Sequence, residues 1–174
     1  MPSSARISWI SWLLLTVFAW FHATSGLEGM PAYLATHFDG SGQPNGWMSP
    51  SRFLWFMGGM WAVMTLSFWG PRFLFGRLPS RWFSLPNREY WLSPERRGHG
   101  IDRVSLWIEG YGAVMLVGLI AVNQLLFAAN SAAEPSLPSG FAWGVFAYLA
   151  GTGVWIFGFI RAFKIPAAAR TTEI

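Results

Sequence analysis

Hydrophobic positions along this chain gather into four long runs, residues 7–27, 53–73, 104–129 and 140–160, and glycines, prolines and charges fill the gaps. Each run approaches the ~20 residues that an α-helix needs to cross a hydrocarbon core about 30 Å thick. The pattern predicts an all-α membrane protein: four transmembrane helices in an antiparallel bundle, one domain over residues 1–174, with a structured outer loop at 28–52 and an inner loop at 74–103.

Basic residues alternate with the gaps. Arg6 precedes the first run, and the gap after it holds no Lys or Arg before Arg52. The second gap carries Arg72, Arg77, Arg81, Arg88, Arg96, Arg97 and Arg103; the third, around Ser131 to Pro138, carries none; the tail carries Arg161, Lys164 and Arg170. Positive residues stay on the cytoplasmic side of a membrane, so the expected topology has both termini and the Arg-rich loop inside. The formal charge of +4 is therefore a topology signal and a surface for anionic lipid headgroups, not a nucleic-acid footprint. Only 11% of the residues are charged and 53% are hydrophobic, against about 25% charged in a soluble domain. With no cysteine in the chain, disulfides, thiolate metal sites and cysteine nucleophiles are excluded.

The first run is aromatic-rich and longer than a signal-peptide core, so it is expected to stay as a span. Trp9, Trp12, Trp47, Trp55, Trp69, Trp82, Trp91 and Trp143 lie near span ends or in loops, where interfacial anchors are expected. In the fourth run Gly140, Gly144, Ala147, Gly151 and Gly158 share one stripe at 3.6 residues per turn, a face for close approach of another helix or of a second copy. Gly58, Gly59, Gly110, Gly112 and Gly118 offer further contact points, and Pro71 after Gly70 is a helix stop.

Glu109 and Asn123 are the polar residues inside the third run and fall near the same face. Two readings stand: an intramembrane carboxylate handling protons or ions, or a structural Glu109 paired with a loop arginine such as Arg103, with Asn123 and Gln124 bonding between helices. In the outer loop, Gly40, Gly42 and Pro44-Asn45-Gly46 supply turn geometry. His37 and Asp39 flank Phe38, and with His22 they are weak candidates for a divalent-ion site; the plainer reading has them bonding the loop to itself.

The string His37-Phe38-Asp39, then Gly42-Gln43-Pro44-Asn45-Gly46-Trp47, placed between the first two spans, resembles the signature of a bacterial integral membrane family. That family shares its N-terminal hairpin with the immunity protein protecting sporulating cells against the sporulation-delaying toxin. Pro86-Asn87-Arg88-Glu89-Tyr90-Trp91-Leu92-Ser93-Pro94-Glu95-Arg96-Arg97 is similar to a segment after the second span of short members. The resemblance covers residues 7–100 and implies a bacterial cytoplasmic membrane protein with a sensing, immunity-like or regulatory role.

In the inner loop, Tyr90, Trp91 and Leu92 among Arg88, Arg96 and Arg97 read as an amphipathic patch for the headgroup layer. Asn87, Pro94 and Glu95 complete this candidate docking surface, for lipid or for a cytoplasmic protein, and Pro94 is placed to open a helix. No phosphate-binding glycine loop, nucleophile with paired base or zinc-protease helix occurs. The expectation is a non-enzymatic envelope protein without a cofactor, whose outer turn 31–49 binds a ligand or partner and whose segment 86–97 docks lipid or protein. A small transporter or its accessory subunit, and a membrane metalloprotein, are the alternatives.

Overall fold

The computed structural model describes residues 3–167, with side chains from Ile7 onward. Four helical segments, at 7–25, 50–75, 97–130 and 141–162, are long and apolar enough to cross a membrane, so the chain is a multi-pass membrane protein. Arg170 lies outside the described residues, as does the side chain of Arg6.

The elements are α1 (Ser3–Ser25), β1 (Leu34–Phe38), β2 (Pro44–Met48), α2 (Pro50–Phe68), α3 (Pro71–Phe75), a 3-10 turn (Ser80–Trp82), α4 (Arg88–Trp91), α5 (Arg97–Asn130) and α6 (Phe141–Ala162). Local chemistry sets their ends. Ser49 caps α2 by accepting from the Arg52 N–H, and Pro50 occupies the first turn, where its missing N–H costs nothing. The helix stops at Phe68 and restarts at Pro71, the break expected at Gly70-Pro71.

The third span departs from expectation at its start. Pro94, Glu95 and Arg96 form a turn rather than the first helical turn, with the Ser93 carbonyl accepting from the Arg96 and Arg97 N–H groups. From Arg97 the helix then runs for 34 residues, roughly 50 Å, well beyond the hydrocarbon thickness.

That long helix is the spine: α1, α2, α3, α6 and β1 all pack on α5, whereas α6 touches little else. Contacts at both ends fix the directions. Ser8 meets Glu109 and His22 meets Gln124, so α1 runs alongside α5; Phe53 meets Phe127 and Arg72 meets Glu109, so α2 runs against it.

Glycines on α5 are the seats for aromatic side chains. A Cβ at Gly112 would lie 2.6 Å from Phe68 and Trp69, so only glycine permits that approach of α2. Gly110 and Gly118 likewise receive Trp155 and Tyr148 of α6. The stripe expected on α6 is not used this way: Gly140, Gly144 and Gly151 face open space, and only Gly158 meets a side chain, Trp107. Helix α6 contacts α5 through Tyr148, Thr152, Trp155 and Phe159, a face turned away from that stripe. Nor do all the tryptophans act as interfacial anchors. Trp12, Trp69 and Trp91 are buried, and Trp12 stacks on Trp69 at 3.8 Å, whereas Trp47, Trp55, Trp82 and Trp143 are exposed.

The 28–52 loop, expected to face outward, holds a β-hairpin rather than a turn alone. Leu34 pairs with Met48, Ala35 with Trp47, His37 with Gly46 and Phe38 with Pro44, with one register shift at Thr36 in β1 and one at Asn45 in β2. Its anchor is Asn130 at the end of α5, 5% exposed. The Asn130 side chain accepts from the Ala35 N–H at 2.8 Å and donates to the Ala35 carbonyl at 2.9 Å and to the Leu126 carbonyl at 2.9 Å. The amide thus takes the place of a neighbouring strand, and Leu34 packs beneath it with Phe53, Met57, Leu126 and Phe127.

Replacing Asn130 with Ala strands the buried N–H and C=O of Ala35, at about 1–3 kcal/mol for each unpaired group. Amide exchange at Ala35 is expected to accelerate while helix content is retained; unaltered protection would show that Leu34 packing alone holds the hairpin.

Candidate functional site

Two polar constellations stand out, one at each end of α5. At the arginine-rich end, Arg72 lies at the start of α3, just after the Gly70-Pro71 break, and reaches Glu109 on α5. The Arg72 Nη2 donates to Glu109 Oε2 at 2.9 Å and its Nε to Glu109 Oε1, forming a two-pronged fork, while Nη1 reaches Asp102 Oδ1 at 3.3 Å. From α1, the Ser8 hydroxyl donates to Glu109 Oε2 at 2.6 Å, and the Trp69 indole donates to Ser8 Oγ at 3.3 Å. Both charged partners are withdrawn from solvent, with side chains 9% and 2% exposed.

Bidentate geometry of this kind is the strong form of a charge-assisted contact, and it joins three chain segments at one carboxylate. Arg72 was legible only as a topology charge, and the expected partner Arg103 is elsewhere: its guanidinium lies 5.1 Å above Trp91 and 5.7 Å above Phe163. Asn123 is buried on α5, and Gln124 bonds His22 across to α1 at 2.8 Å.

At the other end the hairpin presents its candidate residues unevenly. His37, Asp39, Asn45 and Trp47 are exposed, and Gly42, Pro44 and Gly46 shape the backbone beneath them. Asp39 organises the tip: its Oδ1 accepts from the Ser41 N–H at 2.8 Å, the Ser41 hydroxyl at 2.6 Å and the Gln43 N–H at 3.1 Å. Those bonds, the Ser41 hydroxyl foremost and then the Gln43 and Ser41 N–H groups, hold the Asp39 carboxyl below its ordinary range. Gly42 has φ +84°, and its carbonyl accepts from the Leu137 N–H at 3.0 Å, so the α5–α6 connection is tied to the hairpin. His37 sits beside Thr36 with Nδ1 3.3 Å from its hydroxyl. The weak candidates His22, His37 and Asp39 are not part of a metal-binding group: among the described residues no three His, Asp or Glu side chains come together to hold an ion.

The expected inner-loop patch is partly core. Trp91 and Leu92 are buried with Phe83, Leu85, Val104 and Phe163, because the left-handed Asn87 (φ 53°) turns α4 inward. Trp91 Nε1 and Asn87 Nδ2 each donate to the Phe163 carbonyl at 2.8 Å, satisfying the C-terminal end of α6. Arg97 is likewise internal, donating to Ser80 Oγ at 2.6 Å and to the carbonyls of Phe75 and Leu78. Pro94, Glu95 and Arg96 remain exposed, with Arg96 4.3 Å over the Tyr90 ring. The Glu95 carboxyl is held below its ordinary range, foremost by its own backbone N–H.

No family model, curated protein or solved structure matches this chain.

Arg72→Met leaves Glu109 buried without its counter-charge and is expected to destabilise the fold by about 3–5 kcal/mol, whereas Arg72→Met with Glu109→Met recovers most of that loss. Thermal unfolding in detergent of the single and double variants measures the difference; equal losses would show that the pair does not act as a unit.

Because the folded-state pKa of Asp39 is depressed, its stabilising bonds are complete above the unfolded-state value and are lost as pH falls through the folded-state one. Exchange of the Ser41 and Gln43 amides is expected to rise only at acid pH below the usual carboxylate range, and Asp39→Asn, which keeps the acceptor but not the charge, is expected to lose that dependence.

Proposed function

We propose that the chain is a non-enzymatic protein of a bacterial cytoplasmic membrane that presents the hairpin 34–48 outside the cell as a recognition element. The single observation that carries this reading is the clamp by Asn130. A hairpin whose buried strand is bonded to a spanning helix displays His37, Asn45 and Trp47 in one fixed arrangement, as a binding surface must. The resemblance of the His37-Phe38-Asp39 and Gly42–Trp47 strings to the immunity-protein hairpin points the same way, toward a sensing, immunity-like or regulatory role.

The orientation rests on surface charge. Arg77, Arg81, Arg88, Arg96, Arg161 and Lys164 gather at the end opposite the hairpin, which holds Arg52 alone among the described Lys and Arg residues. That distribution supports placing both termini and the arginine-rich loop in the cytoplasm, where the basic surface meets anionic headgroups. The open Gly144, Ala147 and Gly151 face of α6 is then the surface through which a second copy pairs. A transporter reading rests on Glu109, and the Arg72 fork favours a structural clamp there instead.

Since the chain has no cysteine, Asn45→Cys and Ser84→Cys each introduce one unambiguous thiol. In intact cells an impermeant maleimide is expected to label position 45 and not position 84, and a benzophenone maleimide at 45 is expected to crosslink an envelope component. Labelling at 84 from outside overturns the orientation; outward labelling at 45 with no crosslinked product, protein or lipid, overturns the recognition role.

A further inference from the structure

Between the hairpin tip and the first two turns of α6 lies a groove of about 310 Å³. Leu137, Phe141, Val145 and Phe146 form its apolar wall, and Asp39 stands at its rim. Val145 and Phe146 are exposed on a helix that spans the membrane, so the groove is open to lipid along its length.

The rim carries an exposed negative charge with no protein counter-ion among the described residues. All three hydrogen bonds donated to the Asp39 carboxylate end on Oδ1, and among the described residues Oδ2 accepts none. No ion pair of the described residues involves Asp39 either. Bonding from the Ser41 and Gln43 groups keeps the carboxylate ionised at neutral pH. A fixed anion with one oxygen turned loose, at the head of an apolar trough, is complementary to an amphiphile whose polar end is a hydrogen-bonding cation.

We propose that this groove binds a membrane lipid whose headgroup ends in a primary ammonium, with the ammonium donating to Asp39 Oδ2 and an acyl chain lying along Phe141, Val145 and Phe146. The volume suits part of one chain rather than a whole lipid. An ammonium carries three N–H donors, whereas a quaternary trimethylammonium of equal charge carries none. The site therefore separates these two headgroups by hydrogen bonding and size, not by charge. Because Leu137 is tied to Gly42, the lipid also bridges the hairpin and α6. The inference names a ligand class for the recognition element proposed above and rests on that reading. Lipid retention in detergent does not depend on sidedness, however, so failure of the groove and failure of the orientation are separately visible.

The test uses the full chain, purified in detergent, mixed with equal phosphatidylethanolamine and phosphatidylcholine, and weighed by native mass spectrometry. Wild type is expected to retain one phosphatidylethanolamine with about tenfold preference over phosphatidylcholine, the scale of one charge-assisted hydrogen bond. Asp39→Asn keeps the Oδ1 acceptor that orders the tip and is expected to lose the preference. Ala142→Trp, which fills the groove, is expected to lose the bound lipid with Asp39 intact. Equal retention of the two lipids by wild type, or an undiminished preference in Asp39→Asn, overturns the proposal.

Discussion

A single carboxylate, Glu109, holds three separate stretches of this chain together. Inside a spanning helix an isolated carboxylate is costly in lipid, and its presence is sustained only by partners that share its charge and fill its lone pairs. Arg72 supplies the charge, and Ser8 supplies a further donor that Trp69 orients. The Trp12–Trp69 stack then follows, since the indole that bonds Ser8 is the one against which Trp12 packs. Gly70 and Pro71 separate α2 from α3, and Arg72 pairs with Glu109 from just beyond that break.

The far end of α5 solves a different problem with different means. A two-stranded hairpin is marginal by itself in water, and this one carries Pro44 and Gly46 in one strand and a register shift in each. Its stability is borrowed from the membrane helix through Asn130, which offers the donor and acceptor that a third strand would offer, and through the burial of Leu34 beneath it. Length makes this possible. Because α5 reaches from Arg97 to Asn130, one rigid element carries both the ion pair and the hairpin anchor.

Hydropathy made the four spans legible because crossing a bilayer is an additive property of composition, and Gly42 and the Gly70-Pro71 break were legible because backbone chemistry is local. The hairpin strands were not, since LATHF and PNGWM lack the alternation that marks a half-buried strand. Asn130 looked like the boundary of an apolar run. Arg72 was absorbed into a charge count, and its pairing with a residue 37 positions away is a tertiary fact that no local pattern encodes. Trp91 was misread for a related reason: a tryptophan among arginines suits a headgroup layer, but the left-handed Asn87 turns it inward to the end of α6.

These internal arginines bear on the orientation itself. Arg72, Arg97 and Arg103 are engaged by Glu109, by loop carbonyls and by aromatic faces, so their positions follow from folding as much as from membrane sidedness. Removing them from the count leaves Arg77, Arg81, Arg88, Arg96, Arg161 and Lys164 on or near the surface at that end, against Arg52 at the other. The asymmetry survives the subtraction, and the residues that remain are the more exposed ones. Folding thus draws on Arg72, Arg97 and Arg103, whereas the proposed sidedness draws on the other members of the same cluster.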